Sequence, residues 1–312
     1  MFSGSTQKIR RSLSDIAPAA CICVLLVLLY GVHGNNQEVE FHGRSAVLWM
    51  VKRWIWAGGD FSHVWLIPLV SLFALWRKRK ELAHVPGNVS YAGLAVVAAS
   101  LLLHWMGFRA QLTRLSLLSM IGLLWGIPFY LYGRHVAALL LFPCGYLIFC
   151  IPLSFLNNFT VPLRLMASSA ATHVLNGFGI PAVRSGTLIE SAAGGGFSFN
   201  VADPCSGLRS LLAMTALTAA YAYFTQKTFA RKTLLFLSAV PIAIFGNVTR
   251  IVIVGVTAQG FGRKTAEGLY HKGSGLIVFA VAILLMMGTG YLLKTHPIEK
   301  LRQWKRSDTD TA

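Results

Sequence analysis

Charge is scarce in this chain: Asp, Glu, Lys and Arg together make up 12% of 312 residues, and only 11 of them are acidic. A soluble domain carries roughly a quarter of its residues charged, so the composition excludes one. With 55% hydrophobic residues and a mean hydropathy of +0.59, the chain reads as a polytopic membrane protein. Metal-like cysteine spacing is missing too. The five cysteines fall at 21, 23, 144, 150 and 205. The first four lie inside apolar runs and are expected to pack there as small hydrophobes, so no metal and no cofactor are expected. No internal repeat is evident. The first apolar run lacks a convincing small-residue cleavage site and further runs follow it, so it is expected to stay as a span.

What is abundant is positive charge, 28 basic residues for a formal net charge of +17. In a soluble protein that balance would suggest nucleic acid. Here it reads as cytoplasmic loops, and no nucleic-acid partner is expected. Apolar runs of spanning length predict about eight helices, at roughly 16–32, 61–76, 90–107, 115–132, 136–156, 207–225, 233–250 and 274–293. The expected fold is therefore all-α: a polytopic transmembrane helical bundle in a single integral membrane domain, 1–312. The N-terminal segment, "RKRKE" (77–81), "GRH" (133–135), "QKTFARK" (226–232) and the stretch from Lys294 hold 16 of the basic residues. The opposite loops, about twice as long, hold 11. That bias puts both termini, 1–15 and 294–312, in the cytoplasm.

The outer loops carry structure of their own. Residues 33–60 contain "AVLWMVKRWIWAGGD", which predicts an amphipathic segment in the membrane interface. The longest polar stretch, 157–206, opens with an interfacial helix ("VPLRLMASSAATHVLNGFG"). It continues with "GTLIES", three glycines and "FSFNV", which predict a small extracytoplasmic hairpin.

Immediately after the hairpin comes "VADPCSGLRSLL". Asp203 suits a helix N-cap and Pro204 the first helical position. Cys205 then falls in the first turn, where the helix dipole favours a thiolate; an uncapped Asp203 would work against that. In the predicted topology Cys205 opens span six at the outer face. Arg250 ends span seven about 25 Å from Thr233, and His271 lies just before span eight. A thiol, a guanidinium and an imidazole thus meet at one leaflet.

Each residue type suits acyl transfer. A thiolate attacks an amide carbonyl, an imidazole carries the proton, and a guanidinium hydrogen-bonds the oxyanion. Taken singly, each has a plain alternative: Cys205 as a packing residue, Arg250 snorkelling to lipid phosphates, His271 as a solvated loop residue. Supporting candidates are Asp60 and His63 at the mouth of span two, Arg209 one turn below Cys205, and Asn247, three residues before Arg250. Glu267 would hold the His271 imidazole if that loop were helical.

Together "PCSGLRSL", "GNVTRI" and "YHKGSG" resemble the nucleophile, arginine and histidine motifs of the exosortase/archaeosortase group of membrane cysteine transpeptidases. "DFSHVWLIPLVSLFALWRKRK" resembles the family's early span, with Val64 where a glycine is usual. The resemblance covers a core of roughly 55–293. It implies Cys205, Arg250 and His271 as the catalytic set and the plasma (inner) membrane as the location, with the active site on the extracytoplasmic side. The implied partners are secreted proteins ending in a recognition motif, a transmembrane helix and a basic tail, with an envelope acceptor for the transferred product. Hydrolysis without an acceptor, and a non-enzymatic exporter or assembly component, remain alternatives. Few charges deep within successive helices argue against transport.

Overall fold

The computed structural model describes residues 13–34, 43–56, 62–152, 157–192, 197–200, 208–262 and 274–295, and among these described residues it has ten α-helices and one small antiparallel sheet. The chain divides into two compact units, Met1–Pro152 and Leu153–Ala312.

The first unit contains α1 (Leu13–Val27, continued by a π-turn to Val32), α2 (Ala46–Trp56), α3 (Leu66–His84), α4 (Tyr91–Arg109), α5 (Thr113–Tyr132) and α6 (Arg134–Tyr146). Helices α4 and α5 form its closest pair, and small residues make that approach possible. A Cβ at Gly93 would collide with the Tyr130 backbone nitrogen, and one at Gly122 with Ser100. Ser100 and Gly107 follow Gly93 at seven-residue intervals, so one stripe of α4 is nearly free of bulk. Such stripes drive helix association where no hydrophobic effect separates helix from lipid. Tyr30, fully buried at the end of α1, hydrogen-bonds Ser119 of α5 at 2.6 Å.

The basic run 77–81 is helical rather than a loop. Its Arg, Lys and Glu are good helix formers, Lys78 pairs with Glu81 at 2.8 Å, and Arg79 lies over Trp76. Helix α3 stops only at Val85, which is extended before Pro86. Of the four cysteines expected to pack internally, Cys150 is buried and Cys144 half-buried, but Cys21 and Cys23 are exposed. They share α1 with exposed Val24, Leu25 and Val27, an apolar surface suited to lipid.

The second unit contains α7 (Asn157–Gly177), strands β1 (Ala182–Ser185), β2 (Leu188–Ser191) and β3 (Ser198–Asn200), and helices α8 (Leu208–Thr225), α9 (Phe229–Phe261) and α10 (Ser274–Thr295). The expected hairpin is β2–β3, and it gains a third strand in the order β1-β2-β3. Residues 182–185 alternate too briefly to stand out in sequence. The β1–β2 turn has two residues with Gly186 first, at φ +64°, a conformation that glycine adopts without strain. Asn176 ties β1 to α7 with two hydrogen bonds, accepting from the Ala182 N–H at 2.8 Å and donating to its carbonyl at 3.1 Å.

Helix α9 continues 11 residues past the expected end at Arg250. At 33 residues it measures about 50 Å, well beyond the roughly 30 Å of a bilayer's hydrocarbon. The extension persists because its apolar stripe (Ile251, Val254 and Ala258) is buried against Ala167, Ala171 and Leu175 of α7 and against Ile189 of the sheet. Gly255 makes the approach possible: a Cβ there would sit 2.9 Å from two Leu175 methyls.

A helix overlaps each of the eight expected ranges. Among the described residues three, α4, α5 and α9, are long and apolar enough to cross a membrane by length and composition. The apolar stretches 20–32, 134–150, 211–225 and 279–294 are shorter.

Candidate functional site

The site lies in the second unit, where α7, α8 and α9 converge. Helices α8 and α9 descend and return around the short turn at 226–228, so they run antiparallel. Met214 of α8 packs with Ile242 and Ala243 of α9 and with Ala282 and Met286 of α10. Gln226 closes the far end by donating from Nε2 to the Gly290 carbonyl at 3.0 Å.

Helix α7 follows α9 in the same direction at a nearly constant offset. Leu163 and Ala167 stand beside Ala243 and Asn247, and Leu175 beside Gly255. It is therefore a buttress along α9. Its small residues at four-residue spacing (Ala167 and Ala171, Ser168 and Thr172) were the sequence signal for this close packing.

Between these helices is a small recess lined by Leu163, Ala167, Leu211, Ala243, Ile244 and Asn247. Five of the six walls are apolar; Asn247 supplies the amide. Ala243, Asn247 and Arg250 follow one another at four and three residues, so they share one stripe of α9. Arg250, half-buried, sits one turn beyond the recess. Its neighbour Ile251 belongs to the buried stripe facing α7 and the sheet, which fixes the rotation of the helix at this level. Moving back along α8 from Leu211 to Leu208 leads toward the Arg250 level of α9, because the two helices are antiparallel.

Such an arrangement can hold a polarised group. A guanidinium and a primary amide on one stripe offer N–H donors beside an apolar recess, where hydrogen bonds are stronger than in water. Arg250 is not at a helix end, as the 233–250 span implied. It lies about 32 Å along α9, with the buttressed extension beyond it.

The other expected site residues fall as follows. Cys205, His271, Asp60, Asp203 and Glu267 lie outside the described residues. Arg209 is the second residue of α8. His63 is in the 3-10 turn Ser62–Trp65 that leads into α3. Asn247 and Arg250 are brought onto one face; Leu163 and Ala167 are recess residues that no motif in the sequence marks. Among the described residues no group of three His, Cys, Asp or Glu side chains could hold a metal.

Apolar helices of spanning length, packed through small residues, define a polytopic membrane protein. The chain belongs to the transmembrane exosortase family: the family model described as Transmembrane exosortase (Exosortase_EpsH) matches residues 54–288. No curated protein and no solved structure matches it.

Proposed function

We propose that this chain is a membrane-embedded cysteine transpeptidase that cleaves the C-terminal sorting signal of secreted proteins and passes them to an envelope acceptor. The observation that carries the reading is Arg250. It is a half-buried arginine beside an apolar recess in a helix of the matched family region, and it falls in "GNVTRI". Chain geometry adds to it, since three residues span at most about 11 Å between Cys205 and Leu208 at the start of α8.

In this mechanism His271 takes the Cys205 thiol proton, and the thiolate attacks the carbonyl of the scissile peptide bond. Arg250 hydrogen-bonds the oxyanion of the tetrahedral intermediate, with Asn247 orienting the guanidinium. Collapse expels the amine of the sorting signal, which leaves with the proton from His271, and the secreted protein remains as a thioester on Cys205. An acceptor amine, deprotonated by His271, attacks the thioester and restores the thiol. Arg209, the second residue of α8, lines the approach.

The working topology is eight spans with both termini in the cytoplasm and the sheet and site on the extracytoplasmic side. The α9 extension, α7 and the sheet then stand above the outer hydrocarbon boundary. Arg250 sits near that boundary, where water is scarce and a peptide can still arrive.

The test is Cys205→Ala in cells that express a tagged substrate. The variant should reach the membrane at wild-type levels and leave the substrate unshortened. Joint replacement of Cys21, Cys23, Cys144 and Cys150 should leave processing intact. Continued shortening by Cys205→Ala would remove the nucleophile and with it the mechanism.

A further inference from the structure

The sheet of the second unit has two edges, and the chain treats them differently. On β1 the edge is closed. Counted back from the two-residue turn, Ser185 and Val183 direct their backbone N–H and C=O at β2, and Arg184 and Ala182 direct theirs away from it. Asn176 of α7 answers both groups of Ala182, accepting from the N–H at 2.8 Å and donating to the carbonyl at 3.1 Å. Exposed Arg184 adds a charge to the same edge, which guards it against further pairing.

On β3 the edge is open among the described residues. The Ser191 N–H donates to the Phe197 carbonyl at 2.8 Å, so Phe197 and, two residues on, Phe199 direct their backbone groups at β2. The N–H and C=O of Ser198 and Asn200 point the other way, where the sheet has no further strand. Nothing in Ser198–Asn200 is a proline or a charged residue that would guard it. The two faces beside this edge differ in character. Ile189 and Phe197 are buried in the core with α7 and α9, whereas Glu190 and Ser198 share the opposite face. There the Ser198 hydroxyl donates to a Glu190 carboxylate oxygen at 3.1 Å.

Strand β3 also has a place in the proposed chemistry. Seven residues join it to α8, and Cys205 follows Asn200 by five, a reach of at most about 18 Å. In the working topology this part of the chain runs from the extracytoplasmic sheet to the membrane. A substrate whose secreted part lies outside and whose transmembrane helix follows runs the same way. Attack on one peptide bond needs the substrate held extended and in a single register. Main-chain hydrogen bonds to a strand edge provide that whatever the side chains.

We propose that the open edge of β3 binds the extended segment of the substrate just before the scissile bond as a fourth, parallel strand, and so registers the scissile carbonyl for Cys205. This deepens the transpeptidase reading and rests on it. Ser198 donates its N–H to one substrate carbonyl and accepts one substrate N–H at its own carbonyl. Successive substrate residues then alternate between the Ser198 face and the Phe197 face.

Ser198→Pro removes the outward donor and leaves the β2–β3 ladder its bonds. Arg184→Pro removes the matching outward donor from β1 and serves as the control. At matched membrane levels, Ser198→Pro should process a tagged substrate at least about 10-fold more slowly than Arg184→Pro, which should act like wild type. Equal rates for the two would overturn the edge. If Ser198→Pro fails to reach the membrane, disulfide trapping decides the matter. The chain then carries Cys205→Ala, Ser198→Cys and replacements of its four other cysteines, and single cysteines are placed at successive substrate positions before the scissile bond. Crosslinks to uncleaved substrate should recur at every second position and be absent when Arg184→Cys replaces Ser198→Cys. Crosslinks at consecutive positions, none at all, or a disulfide dimer of this chain without substrate would each overturn the added strand. Trapping needs binding alone, so its failure is distinct from that of the transpeptidase reading, which falls if Cys205→Ala still shortens the substrate.

Discussion

At the scale of single residues, Arg250 separates a chemical role from a membrane-anchoring one. A side chain that reaches for lipid phosphates needs only a positive charge on a flexible stem, and lysine provides that. An oxyanion donor needs the planar fork of the guanidinium held in place, which lysine's single ammonium does not reproduce. Arg250 is half-buried on the recess stripe of Ala243 and Asn247, beside the Ile251 core stripe, a position that constrains direction. We therefore expect Arg250→Lys to lower the rate of substrate cleavage in membranes nearly as far as Arg250→Ala, by about 100-fold or more. Lysine-variant rates within a few-fold of wild type, at matched expression, would return Arg250 to the role of anchor.

At the scale of elements, the α7–α9 pair supports the site, and its seam is Gly255 against Leu175. Gly255→Val should cost about 1–3 kcal/mol, because Leu175 is fully buried and its methyls already stand 2.9 Å from the Cβ position. Adding Leu175→Ala should recover most of the loss in thermal melting of the detergent-solubilised protein, since the volumes then balance. A double variant no more stable than Gly255→Val would mean that this seam does not hold α7.

Much at this scale was legible in sequence. The apolar runs near 91–109, 113–132 and 208–225 give helices at almost the expected limits, because their length and composition are local properties. The end of α9 was not legible. Residues 251–261 are apolar and helix-compatible, and only the packing of Ile251, Val254 and Ala258 against α7 determines that they continue the helix. Strand β1 was missed for the same reason: Asn176 and the β2 ladder hold it, not its own four residues. Of the site, the motif residues could be read singly. That Leu163 and Ala167 share a recess with Asn247 depends on the direction of α7, which no local pattern encodes.

At the scale of the whole molecule, the basic bias and the reading of α9 as a crossing helix predict one sidedness. In intact cells of a strain carrying the chain, a membrane-impermeant thiol reagent should label Cys205. The same reagent should not label Ser307→Cys in the C-terminal tail until the cells are permeabilised. Labelling of Ser307→Cys from outside would invert the topology, and the secreted-substrate reading would fall with it.

The most direct measurement follows the proposed covalent intermediate. If Cys205 carries the secreted protein as a thioester, a strong amine nucleophile should intercept it faster than water does. Membranes containing enzyme and substrate, supplied with hydroxylamine, should release a product capped as a hydroxamate. Hydroxylamine should also deplete an enzyme–substrate adduct that is visible on non-reducing gels and absent in Cys205→Ala. A chain that hydrolyses without an acceptor gives the same adduct and hydroxamate, but only free carboxylate when hydroxylamine is omitted. Cleaved substrate with neither hydroxamate nor a Cys205-dependent adduct would contradict the acyl-enzyme, and the transpeptidase mechanism with it.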